Sequence, residues 1–541
     1  MYDEHPSGQS GRARLIDRRV VALYFLKIAS PGVTAKSIGL ITGIAGAILG
    51  LAIGLPPVLN SFSQGKARAP FVPTLDSRGP YLIAATKAAS EQYREAMAEA
   101  RKLHPGCGEI VFEPGNLESV RASFNKLQPR YALVFILPTE LDVNFAWKWL
   151  QLTTDLDDDP FVDVRTGFIT GRNSTDAKAF MSRIRSVIEN KTPLAGMCID
   201  NLGPNTMARN DAFYQTPGNF MIPVLAGRVG QRTISHGTNG FSAQRLGSLD
   251  GAGIVHFGGH GYPDRVVDGA SSAQVGQLKL APCVAFNGAC YTGVTGRWFE
   301  MRDKLVEQEV GPEASFCLAA LANNVLGYLA ALHPDHGVPV YQEMEVLATD
   351  GASLGDIIKH THDGVILANG GKLPQLEPFT NGMASPSWTP VDYMLKGTAS
   401  RVLFGDPALV LTPAFTAPAF YVTCRSDGAD TLYVTAVLQN AKLKSTFTDT
   451  YYSDLSSVPN LFNDRALITC TLPDAWNSVR RVEVLRVAAK GRTMKSRLQG
   501  FGIEEDSGLR LLHVQVDLPT TGYMESEFRS AGAQIELRLS R

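Results

Sequence analysis

The chain has almost no net charge and no cysteine cluster, and both absences narrow what it can do. Its 541 residues carry 51 Lys and Arg against 52 Asp and Glu, a formal charge of −1. A surface so balanced offers no global field to attract nucleic acid. The seven cysteines (Cys107, Cys198, Cys283, Cys290, Cys317, Cys424 and Cys470) are scattered, odd in number and form no C-x-x-C pair. That argues against a zinc ribbon or a dense disulfide framework and leaves the redox compartment open. Internal repeats and low-complexity tracts are missing too. What remains is a globular composition, 44% hydrophobic and 19% charged, in a chain too long for one ordinary domain.

A local absence is equally informative. No charged residue occurs between Lys36 and Lys66, and Ile38 to Leu55 is apolar apart from Thr42 and glycines. A spanning helix needs roughly 17–25 such residues. Arg12, Arg14, Arg18, Arg19, Lys27 and Lys36 precede the run, whereas Lys66, Arg68 and Arg78 follow it. This bias favours a cytoplasmic N-terminus and a translocated bulk. The alternatives are a cleaved signal, with Ala67-Arg68-Ala69 as the cleavage site ahead of Pro70, and a buried soluble helix.

Residues from Asn60 to about Arg78 read as a linker, and from Tyr81 the pattern becomes α/β. Strands are expected at Tyr81–Ala85, Glu109–Phe112, Tyr131–Leu137, Val162–Ile169 and Ser315–Ala320, and helices at Thr86–Leu103, Asn116–Leu127, Ser174–Glu189, Val340–Leu347 and Ser353–Asn369. Such alternation implies βαβ units and a mostly parallel sheet. After Pro413 the texture changes to short alternating strands with polar turns, which predicts a β-sandwich.

Two motifs stand thirty positions apart within the α/β region. Gly253-Ile254-Val255-His256-Phe257-Gly258-Gly259-His260-Gly261 is an apolar run that delivers a histidine among glycines. Cys283-Val284-Ala285-Phe286-Asn287-Gly288-Ala289-Cys290-Tyr291 delivers a cysteine in the same way. Two parallel strands ending side by side would place both groups at the carboxyl edge of one sheet, where ligand sites of open α/β sheets lie. A thiol beside an imidazole is the minimum equipment of a cysteine nucleophile. His256, inside the run, reads as a packed or supporting residue. A zinc pair of His256 and His260 is disfavoured, because Phe257-Gly258-Gly259 is a poor helix and no acidic base stands between them.

Taken in order, these residues resemble the caspase-like clan of cysteine peptidases, and within it the gingipain type. The resemblance rests on Gly259-His260-Gly261, Ala289-Cys290, the closing Gly405-Asp406-Pro407, and an acidic strand with Asp159-Pro160-Phe161-Val162-Asp163-Val164 and Gly167-Phe168-Ile169. It spans roughly Tyr81 to Arg541. It departs at Phe168, where the family has arginine, and in leaving little room for a pro-region. It implies a caspase-like peptidase domain at 80–413, made of subdomains 80–200 and 201–413, then an immunoglobulin-like sandwich at 414–541. Ahead of these lie a basic leader at 1–36, the anchor at 37–59 and the linker at 60–79.

The chemistry implied is endopeptidase cleavage of a protein or peptide substrate. Cys290 would be the nucleophile and His260 the proton carrier. The Gly261 and Cys290 N–H groups would form the oxyanion hole, and Asp163 would orient the histidine. Asp163 also reads as an ordinary strand-end carboxylate. For the specificity pocket, position alone offers Asp176, Trp298, Asn323 and Asn324, although Asp176 in a first helical turn is favourable for the dipole alone. No metal or other cofactor is required, with room for a structural calcium. No nucleic-acid partner is expected, and the oligomeric state is left open. A catalytically silent module and a cysteine acyl transferase are the rival readings.

Overall fold

A computed structural model describes residues 72–194, 197–200, 231–234, 252–267, 270–278, 280–335, 343–344, 346–347, 351–411, 418–439, 464–506, 508–518 and 532–541. Its centre is a sheet of ten strands: β1 (Tyr81–Thr86), β2 (Gly108–Phe112), β3 (Tyr131–Phe135), β4 (Arg165–Ile169), β5 (Met197–Asp200), β6 (Gln231–Ile234), β7 (Ala252–Phe257), β8 (Cys283–Asn287), β9 (Val325–Ala331) and β10 (Arg401–Gly405). Their spatial order is β2-β1-β3-β4-β10-β9-β8-β7-β5-β6. Strands β1 to β4 pair in parallel, as do β9, β8, β7, β5 and β6, while β10 runs antiparallel to β9. The mostly parallel α/β sheet expected from the alternation is present. Strands β3, β8, β9 and β10 are buried along their whole length, as near-continuous apolar runs in a helix-flanked sheet should be.

Local signals fix the helices. Helix α1 (Val143–Thr153) is capped by Asp142, and α2 (Ser174–Glu189) by Asn173, whose side chain accepts from the Asp176 N–H. Helix α3 (Phe316–Leu321) corrects an expectation, since Ser315–Ala320 was read as a strand. The run is apolar and wholly buried, so periodicity cannot tell helix from strand there. The Ser315 hydroxyl decides it, accepting from Leu318 N at 3.1 Å and donating to Val294 O at 2.7 Å. The strand is the following segment, β9. Helix α4 (Leu354–Ala368), capped by Ser353, packs on β4 and β10.

Beyond residue 418 come β11 (Phe420–Ser426), β12 (Thr431–Leu438), β13 (Asp464–Thr471), β14 (Arg481–Ala489), β15 (Arg492–Thr493), β16 (Arg497–Asp506), β17 (Leu509–Leu518) and β18 (Gln534–Ser540). They form two antiparallel sheets, β11-β12-β18-β14-β15 and β13-β17-β16. Residues 69–541 pack as one compact unit. Sandwich and α4 are tied by Lys359, buried beside Asp363 on its own helix at 2.5 Å, which meets Glu504 of β16 at 2.8 Å, and by Leu467 of β13 packing on Ile366 and Leu367. No helix among the described residues is long and apolar enough to cross a membrane, and the apolar run Ile38–Leu55 lies outside them.

The sheet has two edges with different chemistry. The ends of β3 and β8 share one, since the Thr295 hydroxyl donates to Pro138 O at 3.0 Å. The starts of β1, β3 and β4 share the other. There Tyr81 donates to Asp406, just past the end of β10, at 2.9 Å. A Cβ on Gly167, midway along β4, would lie 2.1 Å from the Gly405 carbonyl oxygen.

Candidate active site

The cysteine loop is built by polar side chains at the end of β8. Asn287 is fully buried; its Oδ1 accepts from Ala289 N at 2.8 Å and its Nδ2 donates to the Tyr328 hydroxyl at 2.9 Å. This is an Asx turn, in which a side chain substitutes for a backbone acceptor. Thr292 Oγ1 donates to Ala289 O at 2.7 Å, Tyr328 donates to Thr292 O at 3.0 Å, and Gly293 N donates to Ala331 O at 2.8 Å. The loop so pinned holds Tyr291 at φ 60°, a left-handed conformation that is uncommon outside glycine. Strained backbone of this kind persists only where its surroundings over-determine it.

The histidine comes from the adjacent strand end. Strands β7 and β8 pair in register, Asn287 opposite Phe257, and Gly288 N donates to Phe257 O at 2.9 Å. Gly259, at φ 131°, turns the chain out of β7, and His260 is exposed. Its carbonyl accepts from Val267 N at 2.7 Å, closing a small hairpin. Gly261 then lies directly on the cysteine loop. A Cβ there would stand 2.3 Å from the Cys290 carbonyl oxygen and 2.8 Å from the Ala289 Cβ, so only glycine fits. The two motifs therefore abut backbone to backbone, one residue from His260 on one side and at Cys290 on the other. His256 is 2% exposed, inside β7.

At rest the thiol is capped. Cys290 Sγ donates to Asp335 O at 3.2 Å. Asp335 is held by Arg401, a fully buried guanidinium that donates to Asp335 Oδ2 at 2.9 Å, to Asn287 O at 3.0 Å, and to Glu343 at 2.8 and 2.7 Å. Arg401 thus fixes both the strand end before Cys290 and the residue whose carbonyl accepts the thiol's hydrogen bond. Burial pushes the Cys290 thiol up to about 12, and the neighbouring Asp335 charge adds to the effect. The resting group is a neutral thiol. Beside it, Tyr291 packs edge-on to Trp298 at 4.8 Å and to His333 at 5.6 Å. His333 is buried among Trp147, Phe379 and Trp388, and burial pushes its imidazole down to about 3.

Of the pocket candidates, Trp298 shares this cluster with Tyr291 and Cys290. Asp176 lies past the end of β4, but Arg172 engages its carboxylate at 2.5 Å. Asn323 and Asn324 are not beside the cysteine. They precede β9 and pin the segment ahead of β8: Asn323 Nδ2 donates to Val275 O at 2.9 Å and its Oδ1 accepts from Leu280 N at 3.2 Å, while Asn324 Nδ2 donates to Leu280 O. Their place is the strand-start edge, because sequence proximity to α3 says nothing of which edge a loop occupies.

Asp163 is likewise corrected. It precedes β4 at the strand-start edge and does not approach His260. Its N–H donates to Thr153 O at 2.8 Å, and its carboxyl gathers with Asp157 and Asp159. These three offer oxygens within 4.8 Å of one another, the one such group among the described residues that could hold a cation. Burial, together with Asp157 and Asp159, pushes Asp163 up to about 8, and burial with Asp157 pushes Asp159 up to about 6. Around them a 790 Å³ cleft is lined by Arg78, Arg130, Arg165 and Asp506. Asn287, Asp335 and Arg401 carry the site's architecture and are not evident from the motifs. Only Asn287, two residues ahead of Ala289 in an Asn-Gly step, had a local turn signal.

No family model matches the chain, and no curated protein matches it. Among solved structures it is similar to the complex of Porphyromonas gingivalis RgpB pro- and mature domains, with TM-score 0.43 and 11% identity over 81% of this chain and 93% of that one. It is similar to a structure described as a protease, with TM-score 0.42 and 10% identity over 82% of this chain and 92% of that one. A third is the Saccharomyces cerevisiae separase–securin complex, with TM-score 0.32 and 11% identity over 52% of this chain and 16% of that one.

Proposed function

We propose that this chain is a cysteine endopeptidase of caspase-like architecture, with Cys290 as nucleophile and His260 as proton carrier. The observation that supports the reading is the backbone contact of Gly261, the residue after His260, with the Cys290 carbonyl. His260 takes the thiol proton as Cys290 attacks the scissile carbonyl, then gives it to the leaving amine. Because the resting thiol is neutral, the dyad works by general base catalysis and not as a standing ion pair. The Gly261 and Cys290 N–H groups are the oxyanion donors, and Trp298 is a wall of the substrate pocket. The run Ile38–Leu55 anchors the protein, with the peptidase part outside the cytoplasm.

The test is cleavage of a peptide library by the purified protein beside its Cys290→Ala form. Cleavage by the parent, with a loss of about 10⁴-fold or more in a folded variant, is the expected result. One observation favours a second reading, a catalytically silent module: the thiol is already bonded to Asp335 O. No cleavage, with Cys290 inert toward an electrophilic peptide probe at pH 8, would establish that reading instead.

A further inference from the structure

Two thiols that the peptidase reading leaves unused meet in the β-sandwich. Cys424 sits on β11, the edge strand of the five-stranded sheet, and Cys470 on β13, the edge strand of the three-stranded sheet. Each is fixed by its ladder, Cys424 opposite Val434 and Cys470 opposite Leu512. Strands β11 and β13 pack against each other; Cys424 shares a strand face with Phe420 and Val422, and Cys470 with Ala466 and Ile468, all of which pack into the core between the sheets. Cys424 is exposed, whereas Cys470 is 6% exposed and part of the core. Neither cysteine has a neighbour in sequence that would suggest the pairing.

We propose that Cys424 and Cys470 are joined by a disulfide that staples the two sheets of the sandwich. Two thiols on the facing sides of packed strands, each strand held in register by its own ladder, can approach bonding distance, about 2.05 Å between sulfurs, by side-chain rotation. The oxidant is a low-molecular-weight disulfide. The Cys424 thiolate attacks one of its sulfurs, releasing one thiol and leaving a mixed disulfide on Cys424. Cys470 then loses its proton and attacks the Cys424 sulfur, releasing the second thiol. Two protein thiols are oxidised and one small disulfide is reduced to two thiols.

The environment assigns the order of attack. The Cys470 S–H hydrogen bond lowers the Cys424 thiol, and the same contact together with burial raises that of Cys470. Exposure and thiolate character together make Cys424 the first to react. Cys290 is protected by contrast, since its thiol is held protonated up to about 12. The pair can therefore be oxidised while the proposed nucleophile stays reduced. Disulfides persist in oxidising compartments, so the staple belongs to a chain whose sandwich is exported.

The test uses the full chain, incubated with oxidised glutathione at pH 8, then denatured, alkylated and digested for mass spectrometry. The expected result is one cross-linked peptide pair holding Cys424 and Cys470, reversed by dithiothreitol, with Cys290 still alkylated. The oxidised protein should melt at a higher temperature than the reduced one. Cys470→Ser should accumulate glutathione on Cys424, and Cys424→Ser should lose both the adduct and the cross-link. Alkylation of both cysteines in the treated parent would overturn the proposal, as would glutathione on Cys424 with Cys470 still free.

Discussion

The two edges of the central sheet are built from the same strands and have opposite chemistry. At the strand-end edge, glycines let backbones touch, Tyr291 is held in a left-handed conformation, His260 is exposed one residue from the backbone contact, and the Cys290 thiol is hydrogen-bonded to Asp335 O. At the strand-start edge, charge meets charge: Arg130 and Arg165 share Asp356 and Asp506 at 2.5 to 3.1 Å, and carboxylates crowd at Asp157, Asp159 and Asp163. The first edge keeps its ionic network, Arg401 with Asp335 and Glu343, fully buried. The second spends its charges on holding the sandwich to the sheet. A carboxylate therefore cannot be given a catalytic part merely for standing near a strand terminus; which terminus decides.

The largest effect that would sharpen this contrast is expected at His260. His260→Ala should lower peptide turnover by about 10⁴-fold or more, with melting unchanged, because an exposed ring contributes little to packing. Turnover within about tenfold of the parent would remove His260 from the reaction. Next comes Arg401→Met, which leaves Asp335 and Glu343 buried without their cation. Breaking a buried ion pair costs about 3–5 kcal/mol, so urea unfolding should shift by that much. A shift below about 1 kcal/mol would show the network to be dispensable.

Gly261→Ala should follow, with about a hundredfold loss of turnover, since its Cβ must push the histidine loop off Cys290. Wild-type turnover in that variant would mean that the two motifs do not need their contact. The smallest effect on rate belongs to the other edge. Asp163→Asn should leave turnover and its pH profile unchanged while altering stability. A carboxyl raised to about 8 in the folded chain contributes stability that is complete below its unfolded value and is lost as pH rises through 8. Asparagine escapes that loss. The melting-temperature gain of the variant should be near zero at pH 4, grow toward pH 8, and level off above it. A changed pH–rate profile would break the contrast between the edges.

The sequence by itself determined the class of the sheet and the meeting of the two motifs. The two apolar runs are the adjacent parallel strands β7 and β8, and the helix expected at Ser174–Glu189 is α2, whose Asn173 cap is a local hydrogen bond. The change of texture after Pro413 marked the two antiparallel sheets for the same reason, since alternation is written residue by residue. Tertiary structure alone decided the rest. Ser315–Ala320 was not legible as helix α3 because it is buried all round and its pattern carries no period, and the Ser315 cap decides it. Asp163, Asn323 and Asn324 went to the far edge because strand direction, and not distance along the chain, sets the side of the sheet on which a loop emerges. Arg401, 111 residues beyond Cys290 in the chain, reaches Asn287 and Asp335 because β10 lies beside β9 in the sheet, a neighbourhood that sheet order creates and no local pattern records.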